Sequence, residues 1–525
     1  MKKTLIWLHK WLGVVLALFF LMWFASGVVL YYVPFPNLTQ TERLAGLAPL
    51  QLPGGCCLAA PDAAARAGLA APRLEQARLG MLGTRPVWRL SAAGEGGAPR
   101  WHVIDAVHGK LLAPLDTAQA VQLAEAFSGR SALGSEWLER DQWTVPQGLD
   151  AHRPLLKVRL AGDDGLELYV SPGAAEVVRD TRRAERFWNW LGAVPHWIYP
   201  TVLRMFPAAW HQVVVWLSIP AVLLAATGLV LGVWQLFLNK SRWIPYRKPW
   251  WRWHHITGLV AGVFTFTWML SGLLSMGPFG VFDGTRLELR ARALWAGAAP
   301  VLTRGPAAAT ALAQAAGLTP LELDMQQVAG QAWWRVQGRL ADGALAQRLV
   351  RADDGASSAV SSATDGAAVR AALPDAAVLQ ALAAMRPQLP PPQIAQLAQY
   401  DDAYYARTQD IDALARRPLP VWRAHWPQDG ITVYADPASA RIVMQADNRT
   451  PYKRWLYHGL HSLDFAPLLA RPLLREALVV GLSLLGVALC VTSCVLAWRV
   501  LVPKRRRQRP SGVARAGATI AAQEA

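Results

Sequence analysis

Four histidines recur at matching positions in two halves of the chain, and opposed imidazoles are suited to binding a metal. His9 begins a long apolar stretch, and His254 begins a similar stretch 245 residues later. His196 and His461 lie 265 residues apart, each in an aromatic segment that precedes another apolar stretch. Two neutral imidazoles in a helical bundle can each donate one ring nitrogen to a low-spin haem iron. The spacing therefore predicts one ligand pair near each end of a bundle.

Three neighbouring histidines are alternate ligands. His255 follows His254 and points about 100° around the same helix, so only one of the two faces a partner. His458 lies three residues before His461 and shares its helix face, and His211 enters an apolar stretch. Neither His458 nor His211 has a histidine at the matching position of the other half. The repeat favours His254 and His461.

Structural roles for these residues remain open at this point. A histidine at the end of a membrane span is more often an interfacial residue than a ligand. Duplication also copies packing residues, and Trp23 and Trp268 could either pack on a porphyrin or fill the bundle core. Zinc is a rival metal, but no nearby carboxylate or third histidine accompanies His9 and His254.

Four charge-free stretches of the chain are long enough to cross a membrane. Each exceeds the roughly 20 apolar residues that about 30 Å of hydrocarbon requires. The N-terminal stretch resembles a signal peptide, but it is too long and has no clean cleavage site, so we interpret it as a retained span. The spans are expected near 8–32, 210–238, 254–277 and 477–499.

The basic residues cluster in three short segments. These are the N-terminal tail, the loop between the second and third spans, and the C-terminal tail. Short loops rich in Lys and Arg face the cytoplasm, so both termini are expected inside and residues 33–208 and 279–470 outside. The formal charge of +17 therefore reflects topology rather than a nucleic-acid partner.

An internal duplication organises the whole chain. The first and third spans align without gaps, and so do the segments around His196 and His461. Both copies enter the membrane in the same direction, which predicts a pseudo-two-fold axis along the membrane normal. In the outer segments we expect a helix at 60–79, strand hairpins at 87–112, 155–178 and 420–443, and a loop at 387–393.

The four cysteines carry little information about chemistry. Cys56 and Cys57 are neighbours, and a disulfide between neighbours is strained. Cys490 and Cys494 lie one turn apart in the fourth span, most simply as packing residues. The chain has no CxxC or CxxCH motif, so neither a zinc site nor covalently attached haem is indicated.

The span-end motifs resemble those of the PepSY-associated transmembrane proteins, which include inner-membrane ferric-siderophore reductases. The motifs that carry this resemblance are HKWLG…WFASG, RRAERFWNWLGAVPHWIY, RWHHITGL…TWMLSGLLSMGP and YKRWLYHGLHSLDF. The outer stretches RWHVIDAVHGKLL and ELYVSPGAAEVV are similar to the strand–turn–strand of PepSY domains. The resemblance covers all four spans and is weakest in residues 279–415 and after residue 503.

The resemblance implies an integral membrane α-helical bundle of four spans, duplicated about a pseudo-two-fold axis, with two α+β PepSY-like periplasmic domains. The protein would lie in the bacterial inner membrane. The predicted divisions are 1–32 (tail and first span), 33–186 (periplasmic domain 1), 187–238 (interfacial segment and second span), 239–253 (cytoplasmic loop), 254–277 (third span), 278–450 (periplasmic domain 2), 451–502 (interfacial segment and fourth span) and 503–525 (cytoplasmic tail).

The family also implies an activity and a cofactor. A member would hold haem b, in this chain two haems on His9, His254, His196 and His461, and would reduce ferric siderophore to release Fe(II). The chain has no dinucleotide, flavin or ferredoxin motif, so the electron donor is expected to be quinol, a soluble reductant or another protein. Basic residues near the outer histidines could contact an anionic chelate, haem propionates or lipid headgroups: Arg182, Arg183, Arg186, Lys453 and Arg454.

Two other functional classes stay open. A pair of PepSY domains could bind or regulate a periplasmic partner without catalysis, and this alternative predicts a colourless protein with dispensable histidines. A transporter would need broken helices and polar residues at mid-span, where the chain has only small hydroxyls. We rank the reductase first, the binding module second and the transporter third.

Overall fold

The fold was obtained as a computed structural model that describes most of the chain. It covers residues 2–69, 74–93, 99–238, 244–280, 287–353, 368–407 and 412–502. Lys240 and Arg242 of the predicted basic loop, and the predicted basic tail 503–525, lie outside the described residues.

Four helices are long and apolar enough to cross a membrane, and the chain is a multi-pass membrane protein. The first span is α1, Lys2–Tyr32, the second is α8, Pro207–Leu238, the third is α9, Pro249–Ser275, and the fourth is α17, Pro472–Leu501. Most of their ends extend a few residues beyond the predicted limits, because interfacial residues continue the helical hydrogen bonding past the apolar stretch. The third span ends two residues earlier than predicted.

The remaining helices are short and belong to the segments between the spans. Their bounds are α2 Gln40–Ala45, α3 Ala60–Arg66, α4 Thr117–Ser128, α5 Arg183–Leu191, α6 Ala193–His196, α7 Thr201–Arg204, α10 Leu289–Ala296, α11 Pro306–Ala315, α12 Asp375–Ala384, α13 Ala413–Arg416, α14 Thr450–Lys453, α15 Leu460–Ser462 and α16 Ala466–Leu469. A π-helical turn, Arg454–Gly459, joins α14 to α15.

The bundle core lies where the first and third spans meet the second and fourth. The first span packs against the second and fourth spans, and the third span packs against the same two. Trp268 is buried, with its ring centre 5.6 Å from that of Phe24 and 5.5 Å from that of Phe264. A Cβ atom at Gly486 would lie 2.3 Å from the Phe24 ring, so glycine there admits that side chain. Trp268 therefore fills the core, one of the two roles expected for it.

Fifteen strands are described, and they form three antiparallel sheets. Their bounds are β1 Leu74–Leu82, β2 Arg85–Ala93, β3 Pro99–Asp105, β4 Ala132–Leu138, β5 Leu155–Leu160, β6 Glu167–Ser171, β7 Glu176–Thr181, β8 Thr319–Val328, β9 Gln331–Arg339, β10 Leu345–Arg351, β11 Val369–Arg370, β12 Gln393–Leu397, β13 Val421–Trp426, β14 Ile431–Asp436 and β15 Arg441–Ala446. Together with the helices they give the α+β organisation that the sequence predicts outside the spans.

One sheet is shared between the two halves of the chain. Its seven strands run in the order β11-β10-β9-β8-β1-β2-β3, and β1 pairs with β8 at Leu79 and Leu323. The other two sheets each belong to one half, in the orders β4-β5-β6-β7 and β12-β13-β14-β15. The two predicted outer domains are thus joined by a continuous sheet, which the sequence pattern alone did not indicate.

Buried ion pairs cross the boundary between the halves beside this shared sheet. Glu322 lies 2.7 Å from the guanidinium of Arg43 and 3.2 Å from that of Arg78. Arg78 also lies 2.7 Å from Glu176. Burial alone would raise the pKa of Glu322, but Arg43 and Arg78 hold it well below its usual range. The carboxylate is therefore charged, and its ion pairs link the second half of the chain to the first.

The helix predicted at 60–79 is wrong beyond Arg66. Residues 74–82 form β1, which is paired on both edges by β2 and β8. Tertiary pairing of this kind overrides local helix propensity. The other expected hairpins are present, and 155–178 extends into the three-stranded β5-β6-β7 meander.

The cysteines fall into two groups. Cys56 and Cys57 form a disulfide with each other beside α3. Cys490 and Cys494 are free thiols in the fourth span, the first buried in the bundle core and the second partly buried.

Candidate functional site

The structure brings the four repeated histidines together as two pairs across the bundle. The ring centres of His9 and His254 lie 6.3 Å apart at the end of the bundle away from the sheets, and we call these the tail-side pair. The ring centres of His196 and His461 lie 6.2 Å apart beneath the sheets, and we call these the domain-side pair. Each pair joins one histidine from each half of the chain.

In the tail-side pair, each ring is held by the span that follows it in the chain. Nδ1 of His9 lies 3.2 Å from the Thr227 hydroxyl and 3.2 Å from the Leu224 carbonyl of the second span. Nδ1 of His254 lies 3.2 Å from the Thr492 hydroxyl and 3.3 Å from the Ser493 hydroxyl of the fourth span. Thr227 and Thr492 are themselves 265 residues apart, so the repeat preserves the partner as well as the histidine.

In the domain-side pair, each ring is held by the span that precedes it. Nδ1 of His196 lies 3.2 Å from the Ser26 hydroxyl and 3.1 Å from the Trp23 carbonyl. Nδ1 of His461 lies 3.0 Å from the Ser271 hydroxyl, at the matching position of the third span. The local backbone brings these rings inward: Gly192 has φ −104° and ψ −98° just before α6, and the π-helical turn precedes α15.

The hydroxyl partners determine which ring nitrogen carries the proton. Thr492 donates to the carbonyl of Leu489 at 2.6 Å, and Ser271 donates to the carbonyl of Trp268 at 3.0 Å. Each hydroxyl proton is thereby used within its own helix, so its oxygen accepts the Nδ1–H of the histidine. Thr227 and Ser26 donate to their own helices in the same way. All four imidazoles are therefore expected to be protonated at Nδ1, with an Nε2 lone pair available.

That arrangement matches what a metal-bound histidine requires. Ligating histidines donate their second ring N–H to a hydroxyl, carbonyl or carboxylate, which orients the ring and raises its basicity. Among the described residues, Nε2 of these four rings has no hydrogen bond. Two metal–nitrogen bonds of about 2.0 Å, plus roughly 1.1 Å from nitrogen to each ring centre, place two ring centres about 6.2 Å apart. Both observed separations match this value.

Two of the histidine rings lie directly against glycines, where a larger residue would collide with them. A Cβ atom at Gly228 would lie 2.8 Å from Cε1 of His9, which is closer than side chains tolerate. A Cβ atom at Gly27 would lie 3.1 Å from Cε1 of His196. Each of the four histidines keeps a part of its surface exposed. The residues present therefore fit a metal centre that takes two imidazole nitrogens.

Burial keeps the domain-side rings neutral. It lowers the pKa of His196 to about 4, and it lowers the pKa of His461 to about 3 with a further contribution from His196. Because a protonated imidazole has no lone pair for a metal, these shifts favour the ligating form at neutral pH.

The three alternate histidines lie outside both pairs. His255 is buried with its ring 5.4 Å from that of Tyr246, centre to centre, and Nε2 of His211 is 2.9 Å from the carbonyl of Met276. His458 lies beside the domain-side pair but points to Arg407, which is 3.3 Å from its Nδ1. The structure thus separates His254 and His461 from their neighbours, as the repeat indicates.

The predicted basic contacts divide between the two halves. Arg182 and Arg186 lie in the sheet domain of the first half, where Arg182 is 3.4 Å from Asp180 and Arg186 is 3.4 Å from Glu167. Arg183, at the start of α5, packs over Gly165. These three side chains are occupied by structural contacts rather than placed together around a site.

Lys453 and Arg454 line a cavity in the second half, and sequence reasoning missed most of its other wall residues. Some of those residues lie far along the chain, in the stretch before β13 and in β15, so no local motif connects them with His458. Within the described ranges, no group of three or more His, Cys, Asp and Glu side chains could hold a metal ion. Each histidine pair thus offers two nitrogen ligands.

Comparison of the chain with protein-family models, with curated proteins and with solved structures found no match in any of the three.

Proposed function

We propose that this chain is a membrane haem protein with one haem b on each histidine pair. The observation that carries the proposal is the repeated geometry of the pairs. In both, the ring centres are about as far apart as two imidazoles on one metal, every Nδ1 is bound to a neighbouring span, and every Nε2 is available. In all four places the bound ring nitrogen is Nδ1, so Nε2 is the nitrogen that would reach a metal.

The roles of this chain's own residues follow from that geometry. His9 and His254 would hold one group, and His196 and His461 the other. The accepting hydroxyls orient the rings and make Nε2 more basic, and the surrounding apolar spans exclude water. When bound, haem b supplies one-electron exchange, here at two depths of the bundle.

The activity we propose is reduction of ferric siderophore by electrons that cross the bacterial inner membrane. The domain-side pair lies beneath the sheets and the tail-side pair lies at the opposite end, which supports a path from one face to the other. We place the sheets in the periplasm and both termini in the cytoplasm, on the distribution of basic residues. The oxygen donors of the siderophore bind Fe(II) more weakly than Fe(III). Transfer of one electron to the iron therefore releases it for uptake.

The electron donor in this proposal is a separate molecule. The sequence has no nucleotide or flavin motif, so we propose quinol, a soluble reductant or a donor protein at the tail-side end. Lipid surrounds the spans, and no nucleic acid takes part.

The test is an absorption spectrum of the detergent-purified protein, as isolated and after dithionite, with haem counted per chain. We expect about two haems, a Soret band that sharpens on reduction, and split visible bands. His254→Ala should lose the tail-side haem and His461→Ala the domain-side haem, about half the total in each case. His255→Ala is the matched control, because its ring lies next to His254 in sequence but outside the pair.

A colourless protein from haem-replete cells would contradict the proposal. That result would favour the second candidate, a PepSY-type module that binds a periplasmic partner without catalysis. Equal haem loss in His255→Ala and His254→Ala would also count against the pairing, since only one of the two rings faces His9.

A further inference from the structure

A cationic cavity opens beside the domain-side pair in the second half of the chain. Its volume is about 540 Å³, within the range of about 300–1,000 Å³ that is typical of small-molecule sites. A single carboxylate, that of Asp447, belongs to its wall among the described residues. Six cationic side chains share the wall: Arg407, Arg416, Arg417, Arg449, Lys453 and Arg454. The wall thus carries more positive than negative side chains, which favours an anion.

Arg454 is a buried cation in the wall of this cavity. Only 3% of this residue is exposed. Its Nε donates to the carbonyl of Asp402 at 2.8 Å and its Nη2 donates to the carbonyl of Asp464. Its Nη1 is buried and has no hydrogen-bond partner among the described residues. The guanidinium also lies over two aromatic rings, 4.1 Å from the centre of Tyr405 and 5.0 Å from that of Trp455, so a fixed positive charge lies at the cavity wall.

A buried ion pair beside this cavity has no counterpart in the first half. Asp464, with a fully buried side chain, lies 2.6 Å from Arg407 and 2.8 Å from Arg475. The position that matches Asp464 in the first half is Tyr199, and the one that matches Arg475 is Trp210. Where the first half has two aromatic residues, the second half thus has a buried ion pair beside the cavity.

An aromatic path connects the cavity with the domain-side pair. The ring of His458, which lines the cavity, lies 4.7 Å from that of Tyr457 between centres, and Tyr457 lies 5.6 Å from His461. In the first half the matching positions are Gly192 and Ala193, which cannot form such a path. A ligand beside His458 would thus be separated from His461 by the rings of His458 and Tyr457.

We propose that this cavity binds a soluble anionic ferric chelate, one with carboxylate oxygens at its surface. The inference rests on the proposed reductase function and names the substrate class and the half of the molecule that receives it. Arginine forks pair well with carboxylates, which suits the composition of the wall. Residues of the sheet domain such as Arg417 and Asp447 share the wall with the interfacial Lys453. The ligand is therefore enclosed by protein rather than by lipid alone.

The experiment measures binding without electron transfer. The haem-loaded protein in phosphatidylcholine nanodiscs is titrated with gallium(III) citrate, a redox-inert anionic chelate, by calorimetry. We expect saturable binding that weakens as salt increases, and at least a tenfold loss of affinity in the double variant Arg449→Gln, Lys453→Gln. Both of these residues are exposed, so the variant should fold. Arg159→Gln, which removes an exposed cation from the first-half sheet, should bind like the wild type.

The outcomes separate this inference from the proposed function. Haem-loaded protein that does not bind gallium citrate, or a double variant that binds it unchanged, would overturn the cavity proposal and leave the haem proposal intact. Loss of binding in phosphatidylglycerol nanodiscs would also overturn it, because a lipid headgroup would then be the occupant. Colourless protein that still binds gallium citrate would support the cavity and contradict the haem proposal.

Discussion

The hydroxyl of Thr492 makes two hydrogen bonds that together define the state of a histidine ring. It donates its proton within the fourth span and accepts the Nδ1–H of His254, so it determines both the tautomer and the orientation of that ring. Thr227 has the same two contacts at His9. The repeat could have revealed both threonines, because they share the offset of His196 and His461. Without coordinates, however, nothing linked either hydroxyl to a particular ring.

Replacing that hydroxyl should weaken the site without removing its ligand. Thr492→Val keeps the shape of the side chain but cannot accept the Nδ1–H, and Ser493 remains as a weaker partner. We expect the tail-side haem to bind about 10-fold more weakly, at the low end of such outer contacts. Haem titration into the apoprotein measures the change.

Ser483→Ala is the control for that experiment. Ser483 lies in the same span, and its hydroxyl donates to the carbonyl of Val479 at 2.7 Å, away from any histidine. An equal loss of haem affinity in Ser483→Ala and Thr492→Val would show that the effect comes from the helix and not from the ring.

The buried carboxyl of Asp180 should make the stability of the protein depend on pH. Burial raises its pKa to about 6 from 3.8, and the carboxylates of Glu42 and Glu185 reinforce the shift. Between these two values the folded state holds a proton that the unfolded state has released. The free energy of unfolding should therefore fall as pH rises from about 4 to 6, by at most about 3 kcal/mol.

Chemical unfolding in detergent at pH 4 and pH 7 measures this dependence. Asp180→Asn should remove the part of the slope that belongs to this carboxyl, whereas Asp163→Asn, at an exposed loop position, should leave it unchanged. A slope that is equal in the wild type and in Asp180→Asn would exclude Asp180 as its source.

At the scale of elements, β1 shows where sequence patterns fail. The sequence pattern predicts the end of a helix for residues 74–79 of this strand, yet both edges of the strand are paired. One partner, β2, follows it directly in the chain, but the other, β8, comes from the second half. The four spans were predictable because a membrane imposes a length and a composition on each helix separately. A strand has no such local requirement, so its partners are decided by the whole fold.

Glu322 on β8 should be the residue on which this cross-half pairing depends most. Glu322→Gln would leave Arg43 and Arg78 buried with less compensating charge. Breaking a buried network of this kind costs about 3–5 kcal/mol. Chemical unfolding, monitored by the circular dichroism signal of the strands, should show this loss of unfolding free energy.

Glu136→Gln provides the comparison at an exposed ion pair. Glu136 pairs with Lys157, and its side chain is 61% exposed. Exposed pairs contribute about 0–1 kcal/mol, so this variant should unfold much like the wild type. Similar losses in the two variants would show that burial at Glu322 has no special role.

At the scale of the molecule, the two halves are related in sequence but unequal in chemistry. Both contribute one histidine to each pair, which explains why the duplication pointed to the pairs. The differences, such as Tyr457 and His458 in place of Gly192 and Ala193, are scattered substitutions within aligned segments. Their role becomes visible only when the fold places them beside the cavity. The symmetric part of the site was therefore predictable, and the asymmetric part was not.

The halves should assemble even when they are made as separate chains. A break within residues 239–243, between the second and third spans, would leave the shared sheet, the ion pairs of Glu322 and the packing of the first span against the fourth intact. We expect the co-expressed halves to purify together through a tag on either one and to carry haem.

Each half expressed alone provides the control. It would have one histidine for each pair and an unpaired edge on β1 or β8, so it should be unstable and colourless. Recovery of stable single halves, or of co-expressed halves that do not purify together, would contradict the shared sheet.

The pairing of β1 with β8 also has a consequence for biosynthesis. Leu79 reaches its partner Leu323 only after about 240 further residues have been made, roughly 12–50 s at typical rates of synthesis. During that interval β1 has one open edge, and two more spans must enter the membrane before the edge is covered. Unpaired edges attract other strands and promote aggregation. Folding of this chain should therefore depend on a chaperone that shields the first half until the second half has been made.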